Sequence, residues 1–235
     1  MQTNSPASPG HPKLPADLAR YIDHTLLKPE STIQDIQRLC EEARRHSFKA
    51  VCVNPIFVKT TRELLIGTQV LTASVIGFPL GTHHSKIKAL ETEMAIREGA
   101  SEIDMVIRLD YVKSANWKAA EFDIAEVVRA ASGQVVKVIL ETGLLTSDEI
   151  INACRASESA GAAFVKTATG FLGRGASVDD VQLMRRSVSP KIEIKASGGV
   201  KTFEQALALI EAGATRLGTS SGVALVTGKH AGGGY

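Results

Sequence analysis

The sequence predicts a single α/β domain in which eight strand-helix units close into a parallel barrel. Three observations lead there. Short Val- and Ile-rich runs of buried-strand length alternate with longer segments whose apolar residues recur three and four positions apart. In "REGASEID", "ESAGAAFVK" and "EAGATRLG" a glycine stands between a helix end and the next strand, and these sites are spaced by pairs of units of about 30 residues. The length of 235 residues suits one barrel of this kind, which takes about 250. An open doubly wound sheet is the competing architecture, but no GxGxxG turn follows the first strand.

The strands are expected, in order, at "YIDHT" (21–25), "AVCV" (50–53), "ASVIGF" (73–78), "EIDMVI" (102–107), "VVKVILE" (135–141), "AFVKTA" (163–168), "IEIKAS" (192–197) and "RLGTS" (216–220). Between them, "TIQDIQRLCEEARRH", "SKIKALETEMAIREG", "TSDEIINACRASESAG" and "TFEQALALIEAGA" carry helical periodicity, with start signals at Ser147 and Thr202 followed by acidic residues. The barrel is placed at residues 16–227. Residues 1–15 hold four of the eight prolines and cannot bury enough apolar surface to offset their ordering, so a flexible lead is expected. Residues 228–235, with three successive glycines before Tyr235, read as a mobile tail.

The balance of charge excludes some functions. A formal net charge of +2, with acids and bases interspersed, leaves no electrostatic footprint for nucleic acid. No apolar run is long enough to span a bilayer, and the first residues lack the apolar stretch of a secretory signal. Cys40, Cys52 and Cys154 are too scattered for a disulfide framework or a structural zinc site, which implies a reducing compartment. A cytoplasmic location is expected. His83 and His84 are adjacent and read as the first turn of a helix rather than a metal pair, so no metal is expected.

In a barrel of this type the chemistry sits at the C-terminal ends of the strands. Strand alternation puts Ile103, Met105 and Ile107 on one face and Glu102 and Asp104 on the other. By the same parity Lys137 and Glu141 oppose Val136, Val138 and Leu140, and Lys195 opposes Ile192 and Ile194. Charges directed at the barrel axis are tolerated only if they pair or act on a ligand. Lys166 ends an apolar strand. Alone, a lysine there usually reaches solvent, and parity leaves open which face it takes. With a second lysine, Lys195, and an acid, Asp104, nearby, Lys166 reads as an amine nucleophile whose pKa is lowered by its neighbour, with Asp104 moving protons.

"SGGVKT" after the seventh strand and "GTSSGV" after the eighth each run into a helix. Exposed backbone N–H groups and the helix dipole at those two places suit a phosphate.

These stretches together resemble the deoxyribose-phosphate aldolase family, class I Schiff-base aldolases with a (β/α)8 TIM-barrel fold. The resemblance runs from about residue 16 onward. It rests on "DHTLL" (23–27), "VCVNP" (51–55), "VIGFPLG" (75–81), "EIDMVI" (102–107), "FVKTATGF" (164–171), "KASGGVK" (195–201) and "GTSSGV" (218–223). It implies reversible cleavage of 2-deoxy-D-ribose 5-phosphate to acetaldehyde and D-glyceraldehyde 3-phosphate, with no cofactor or metal. Lys166 would form the imine, and Asp104 and Lys195 would handle protons and tune it. Asp23 and Thr25 would lie near the substrate hydroxyls. Thr169, Gly170, Gly198, Gly199, Gly218, Ser220 and Ser221 would border or hold the phosphate. Cys52 stands where the family often has a cysteine near the substrate, although it also reads as a small buried hydrophobe. Some members carry a basic residue where this chain has Phe171, which shifts the expected phosphate contacts toward backbone amides and Lys201 or Arg174. Tyr235 matches members whose terminal tyrosine reaches the active site.

The partners implied are small aldehydes and sugar phosphates, and a homo-oligomer, a dimer by fold analogy. Two rivals remain at this stage: a Schiff-base aldolase or transaldolase using another donor, and a silent sugar-phosphate-binding barrel.

Overall fold

The computed structural model describes residues 18–228. The expected lead over residues 1–15, and the tail beyond Gly228 with Tyr235, lie outside the described residues. The strands are β1 (Ile22–Leu26), β2 (Ala50–Val53), β3 (Leu71–Ile76), β4 (Glu102–Val106), β5 (Val135–Ile139), β6 (Phe164–Lys166), β7 (Glu193–Ser197) and β8 (Arg216–Thr219). They follow one another around a closed barrel, all neighbours parallel, with β8 pairing back onto β1. This is the (β/α)8 barrel that the eight-unit rhythm predicts.

Helices α1 (Ile33–His46), α2 (Val58–Leu64), α3 (Ser85–Arg97), α4 (Leu109–Lys113), α5 (Trp117–Ala130), α6 (Ser147–Ser159), α7 (Val178–Ser187), α8 (Phe203–Glu211) and α9 (Gly222–Thr227) fill the connections. Their starts are chemically marked. Thr32, Thr146 and Thr202 each cap a helix and are answered from the third helical position by Asp35, Glu149 and Gln205. The cap of α6 is thus Thr146, one residue before the expected Ser147, because only Thr146 is spaced to reciprocate with Glu149. Gly99, Gly161 and Gly213 all take positive φ, the backbone that the helix-to-strand junctions require. His84 stands at the N-cap position of α3 without a side-chain hydrogen bond to the helix, and His83 precedes it, so both lie just before the first turn in which they were expected. No helix among the described residues is long and apolar enough to cross a membrane.

The strand limits differ most from expectation at β3 and β6. β3 begins at Leu71 and stops at Ile76, since Gly77 turns the chain out of the ladder at positive φ. β6 is only three residues long. Beyond it, the Thr167 hydroxyl donates to Ser197 O (2.8 Å) and accepts from Ser197 N–H (2.9 Å), so a side chain takes over the pairing.

Strand alternation sorts the side chains into two layers. Ile103, Met105, Ile107, Val136, Val138, Leu140, Val165 and Ile194 join the large apolar cluster shared with the helices. The opposite parity fills the barrel: a small apolar cluster of Leu27, Cys52, Ala73 and Val75, and beside it a set of buried charges. Lys166 has the parity of Phe164, opposite Val165, which settles the face left open by the sequence: it points inward.

The C-terminal end of β4, which carries Asp104, is braced from two sides. The fully buried Lys88 of α3 donates to Val106 O (2.8 Å) and to Asp123 of α5 (2.7 Å). Gly81, at φ 71°, lies so close to the end of β4 that a Cβ there would stand 2.3 Å from Ile107 O. Positive φ and backbone contact both penalise a side chain at this position. Gly81→Ala is therefore expected to lower stability by about 2 to 4 kcal/mol, read from the urea midpoint at constant slope. An unchanged midpoint would show that the loop yields without loss.

Candidate active site

Three strands, β4, β6 and β7, bring the three residues singled out from the sequence to one atom. Oδ2 of Asp104 accepts from Lys166 Nζ and from Lys195 Nζ, each at 2.7 Å. Its other oxygen, Oδ1, accepts from Lys137 Nζ at 2.7 Å. The register explains the convergence: Asp104 lies beside Lys137 across β4 and β5, and Lys166 beside Lys195 across β6 and β7. Asp104, Lys137 and Lys195 are wholly enclosed and Lys166 nearly so.

Below this level the charges continue. Asp23 accepts from Lys195 (2.5 Å) and Arg216 (2.9 Å), and Glu102 accepts from Lys137 (2.6 Å) and Arg216 (2.8 Å). The ring of Phe164 forms a floor, with the Arg216 guanidinium 5.2 Å and Lys137 Nζ 5.9 Å from its centroid.

These surroundings act differently on each group. Burial pushes the Lys166 ammonium down; Asp104 opposes that effect and Lys195 reinforces it, and the outcome lies below the ordinary lysine value. Lys195 is equally buried, but Asp104 and Asp23 outweigh the burial and hold its proton well above the usual range. Burial would raise the Asp104 carboxyl, yet Lys137, Lys166 and Lys195 keep it well below the ordinary value. The site thus contains an amine that gives up its proton more readily than an ordinary lysine, next to one that holds its proton more firmly.

Above Lys166 a cleft opens at the C-terminal rim, lined by Thr25, Leu27, Thr169, Gly170, Phe171, Ser197, the 198–201 stretch, Gly218, Thr219 and Ser220. Gly170, Gly198 and Gly199 take φ of 84°, 87° and 75°, turning backbone toward the cleft as an anion site needs. Gly218 also has an internal reason: a Cβ would stand 3.1 Å from Lys195 Cε. Thr169 is held by Glu141, whose carboxylate accepts its N–H and its hydroxyl, the latter at 2.5 Å. One wall is apolar, with Phe171 edge-on to Phe78 at 5.2 Å between centroids.

Some expected contacts fall elsewhere. Asp23 lies beneath the cleft, committed to Lys195 and Arg216, and does not line it. Cys52 belongs to the inner apolar cluster, and burial pushes its thiol up to about 11. Ser221 is buried at the start of α9, its N–H donating to Thr219, outside the cleft lining. Arg174 engages Asp180 through both guanidinium nitrogens and also stays out of the cleft, whereas Lys201 lines it.

Sequence reasoning set Lys137, Glu102 and Glu141 inside the barrel without giving them a place in the site, and it passed over Arg216. A signal existed: Arg216 shares strand parity with Gly218, which had been assigned to the rim.

The model of the DeoC/LacD family of aldolases matches residues 18–228. The chain belongs to this family. It is 53% identical to the deoxyribose-phosphate aldolase of Streptococcus sanguinis over 93% of its own length and 99% of the relative's. It is also 53% identical to that of Brevibacillus brevis, over 93% and 100%. Among solved structures, the tetrameric deoxyribose phosphate aldolase of Aeropyrum pernix superposes with a TM-score of 0.83 at 34% identity, covering 89% of each chain. An aldolase of the DeoC/LacD family thus has its lysines gathered on Asp104 beneath a glycine-lined cleft.

The buried carboxylates tie stability to pH. Burial alone would raise Asp23, but Lys195, Lys137 and Arg216 overcome this and lower it from 3.8 to about 2. A carboxyl depressed in the folded state stabilises fully above its unfolded value and loses that contribution as pH falls through the folded one. Wild-type stability should therefore drop by about 2 kcal/mol from this group as pH falls from about 4 through about 2. Asp23→Asn should flatten that part of the acid limb in denaturant titrations, and an equally steep limb would assign the slope to other groups.

Proposed function

We propose that the chain reversibly cleaves 2-deoxy-D-ribose 5-phosphate to acetaldehyde and D-glyceraldehyde 3-phosphate through an imine on Lys166. The observation that carries this reading is the sharing of Asp104 Oδ2 by Lys166 and Lys195. Burial and the second ammonium on that oxygen favour the uncharged form of the Lys166 amine, while the carboxylate positions it beside a proton donor. The relatives named deoxyribose-phosphate aldolase supply the substrate.

In the cleavage direction the neutral Lys166 amine adds to the aldehyde carbon of the open-chain sugar, and loss of water gives a protonated imine. The C3 hydroxyl then gives up its proton, the C2–C3 bond breaks, and its electron pair flows into the imine to form an enamine. C3 leaves as the aldehyde of glyceraldehyde phosphate. Protonation of the enamine and hydrolysis release acetaldehyde and restore the amine. Asp104 is placed to accept and return these protons, and Lys195, which retains its own, stabilises the oxyanion of the carbinolamine. The Gly170, Gly198 and Gly199 backbone, with Ser220 and Lys201, takes the phosphate at the rim. Thr25, whose hydroxyl donates to Asp23 O at 2.8 Å, faces the sugar.

A homo-oligomer accompanies this reading, a dimer by fold analogy, while the A. pernix relative is tetrameric. The exposed Ile87, Leu90 and Met94 of α3 and Phe122 of the neighbouring α5 support association. The free, buried cysteines support a reducing, cytoplasmic setting.

Borohydride reduction with acetaldehyde, followed by peptide mapping, should place the adduct on Lys166; an adduct elsewhere, or none, would refute the imine assignment. In the same assays Lys195→Leu should lower turnover by about 100-fold or more with the fold retained. A donor panel would favour dihydroxyacetone phosphate over acetaldehyde if the rival aldolase reading held. Ser220→Asp, by placing negative charge at the rim, should raise KM for the phosphorylated substrate by about tenfold and affect unphosphorylated deoxyribose much less. Equal effects on both would remove the phosphate from this end of the cleft.

A further inference from the structure

The imine reading requires Lys166 as a free amine, and the enclosed charge cluster bears on how that is achieved. Among the described residues, the carboxylates Asp23, Glu102 and Asp104 face the bases Lys137, Lys166, Lys195 and Arg216. The bases outnumber the acids by one. Lys195 contacts Asp104 and Asp23. Lys137 contacts Glu102 and Asp104. Arg216 contacts Asp23 through Nη1 and Glu102 through both terminal nitrogens. Lys166 contacts Asp104 alone in this set, on an oxygen already serving Lys195.

We propose that Arg216 is a positioning residue that keeps Lys166 uncharged: by occupying Asp23 and Glu102 it leaves the enclosed cluster one carboxylate short, and Lys166 has the fewest carboxylate contacts. An arginine suits this role because it holds its proton throughout the working range. Arg216 is buried beside Lys195 in the register of β7 and β8 and does not line the cleft, so it acts through the cluster and not on the substrate. Cys52 and Glu141 also act on Lys166, but neither makes an ion pair with any of the four bases. The Cys52 thiol is pushed up to about 11 by burial and by Asp104. The Glu141 carboxyl is raised by burial and accepts from Thr169, touching none of the four bases.

The count makes a signed prediction. Without the Arg216 charge, three bases face three carboxylates, and the cluster is neutral only with Lys166 protonated. Without the Glu102 charge, the excess of positive charge grows and Lys166 loses its proton more readily. Removing both charges restores the original imbalance.

The inference rests on Lys166 as the imine-forming residue, and the test separates the two ideas. The rate of adduct formation with acetaldehyde and cyanoborohydride, mapped to Lys166, is measured across pH for intact wild-type and variant proteins. Arg216→Met should move the acidic midpoint upward by about one pH unit or more, and Glu102→Gln should move it downward. The double variant should return toward wild type, and Arg216→Lys, which keeps the charge, should stay at the wild-type position. Should Arg216→Met fail to fold, Glu102→Gln and the double variant still decide, because an unmoved midpoint in Glu102→Gln, or a double variant that does not return, overturns the proposal. Wild-type protein that gives no adduct on Lys166 overturns the imine reading itself. A wild-type adduct with an unmoved midpoint in Arg216→Met overturns only the role of Arg216.

Discussion

One buried carboxylate, Asp104, organises the interior of this barrel. Three lysine Nζ atoms from β5, β6 and β7 end on its two oxygens. Isolated ions in such an enclosure would each lose several kcal/mol of hydration, so the arrangement holds only because each charge meets opposite charge and well-directed hydrogen bonds. The carboxylate has to be placed accurately for that. β4 supplies the placement: its apolar parity anchors Ile103 and Met105 among the helices, and Lys88 and Gly81 hold its far end. The reactivity assigned to Lys166 therefore depends on packing some way from the amine itself.

The site divides its tasks by polarity. The paired charges gather on the floor, where solvent is excluded and electrostatic effects are strong. The rim is formed largely by backbone, with the glycine loops after β6 and β7 and the end of β8 meeting at a common cleft. The remaining wall is the Phe78 and Phe171 pair. On the proposed reading, a phosphate at the rim stays apart from the buried lysines and does not compete with Asp104 for them. Glu141 connects the two regions: it follows the strand that carries Lys137 and clamps Thr169 in the turn after Lys166.

Much of this was readable before folding. Strand alternation separates Asp104, Lys137 and Lys195 from their apolar neighbours, because side chains on a strand change face at every residue. Helix caps and junction glycines mark the units, because their chemistry is local. Alternation could not orient β6, where Ala163, Phe164 and Val165 are apolar on both faces. Nor could it tell residues on the cleft from residues beneath it. Asp23 and Arg216 have the same inward parity as Thr25 and Gly218, but lie one layer deeper. Arg174 looked available to a phosphate, but the segment leading into α7 folds it onto Asp180 in that helix's first turn.

By itself the sequence determined the eight-unit barrel, the inward parity of its charges and the residue types of a Schiff-base site, since these depend on period, propensity and side-chain chemistry. Only the tertiary structure decided that two lysines share one carboxylate oxygen, that the bases exceed the acids by one, and which inward residues reach the cleft. Those facts depend on the depth of each strand within the barrel, which is set by register between segments far apart in the chain.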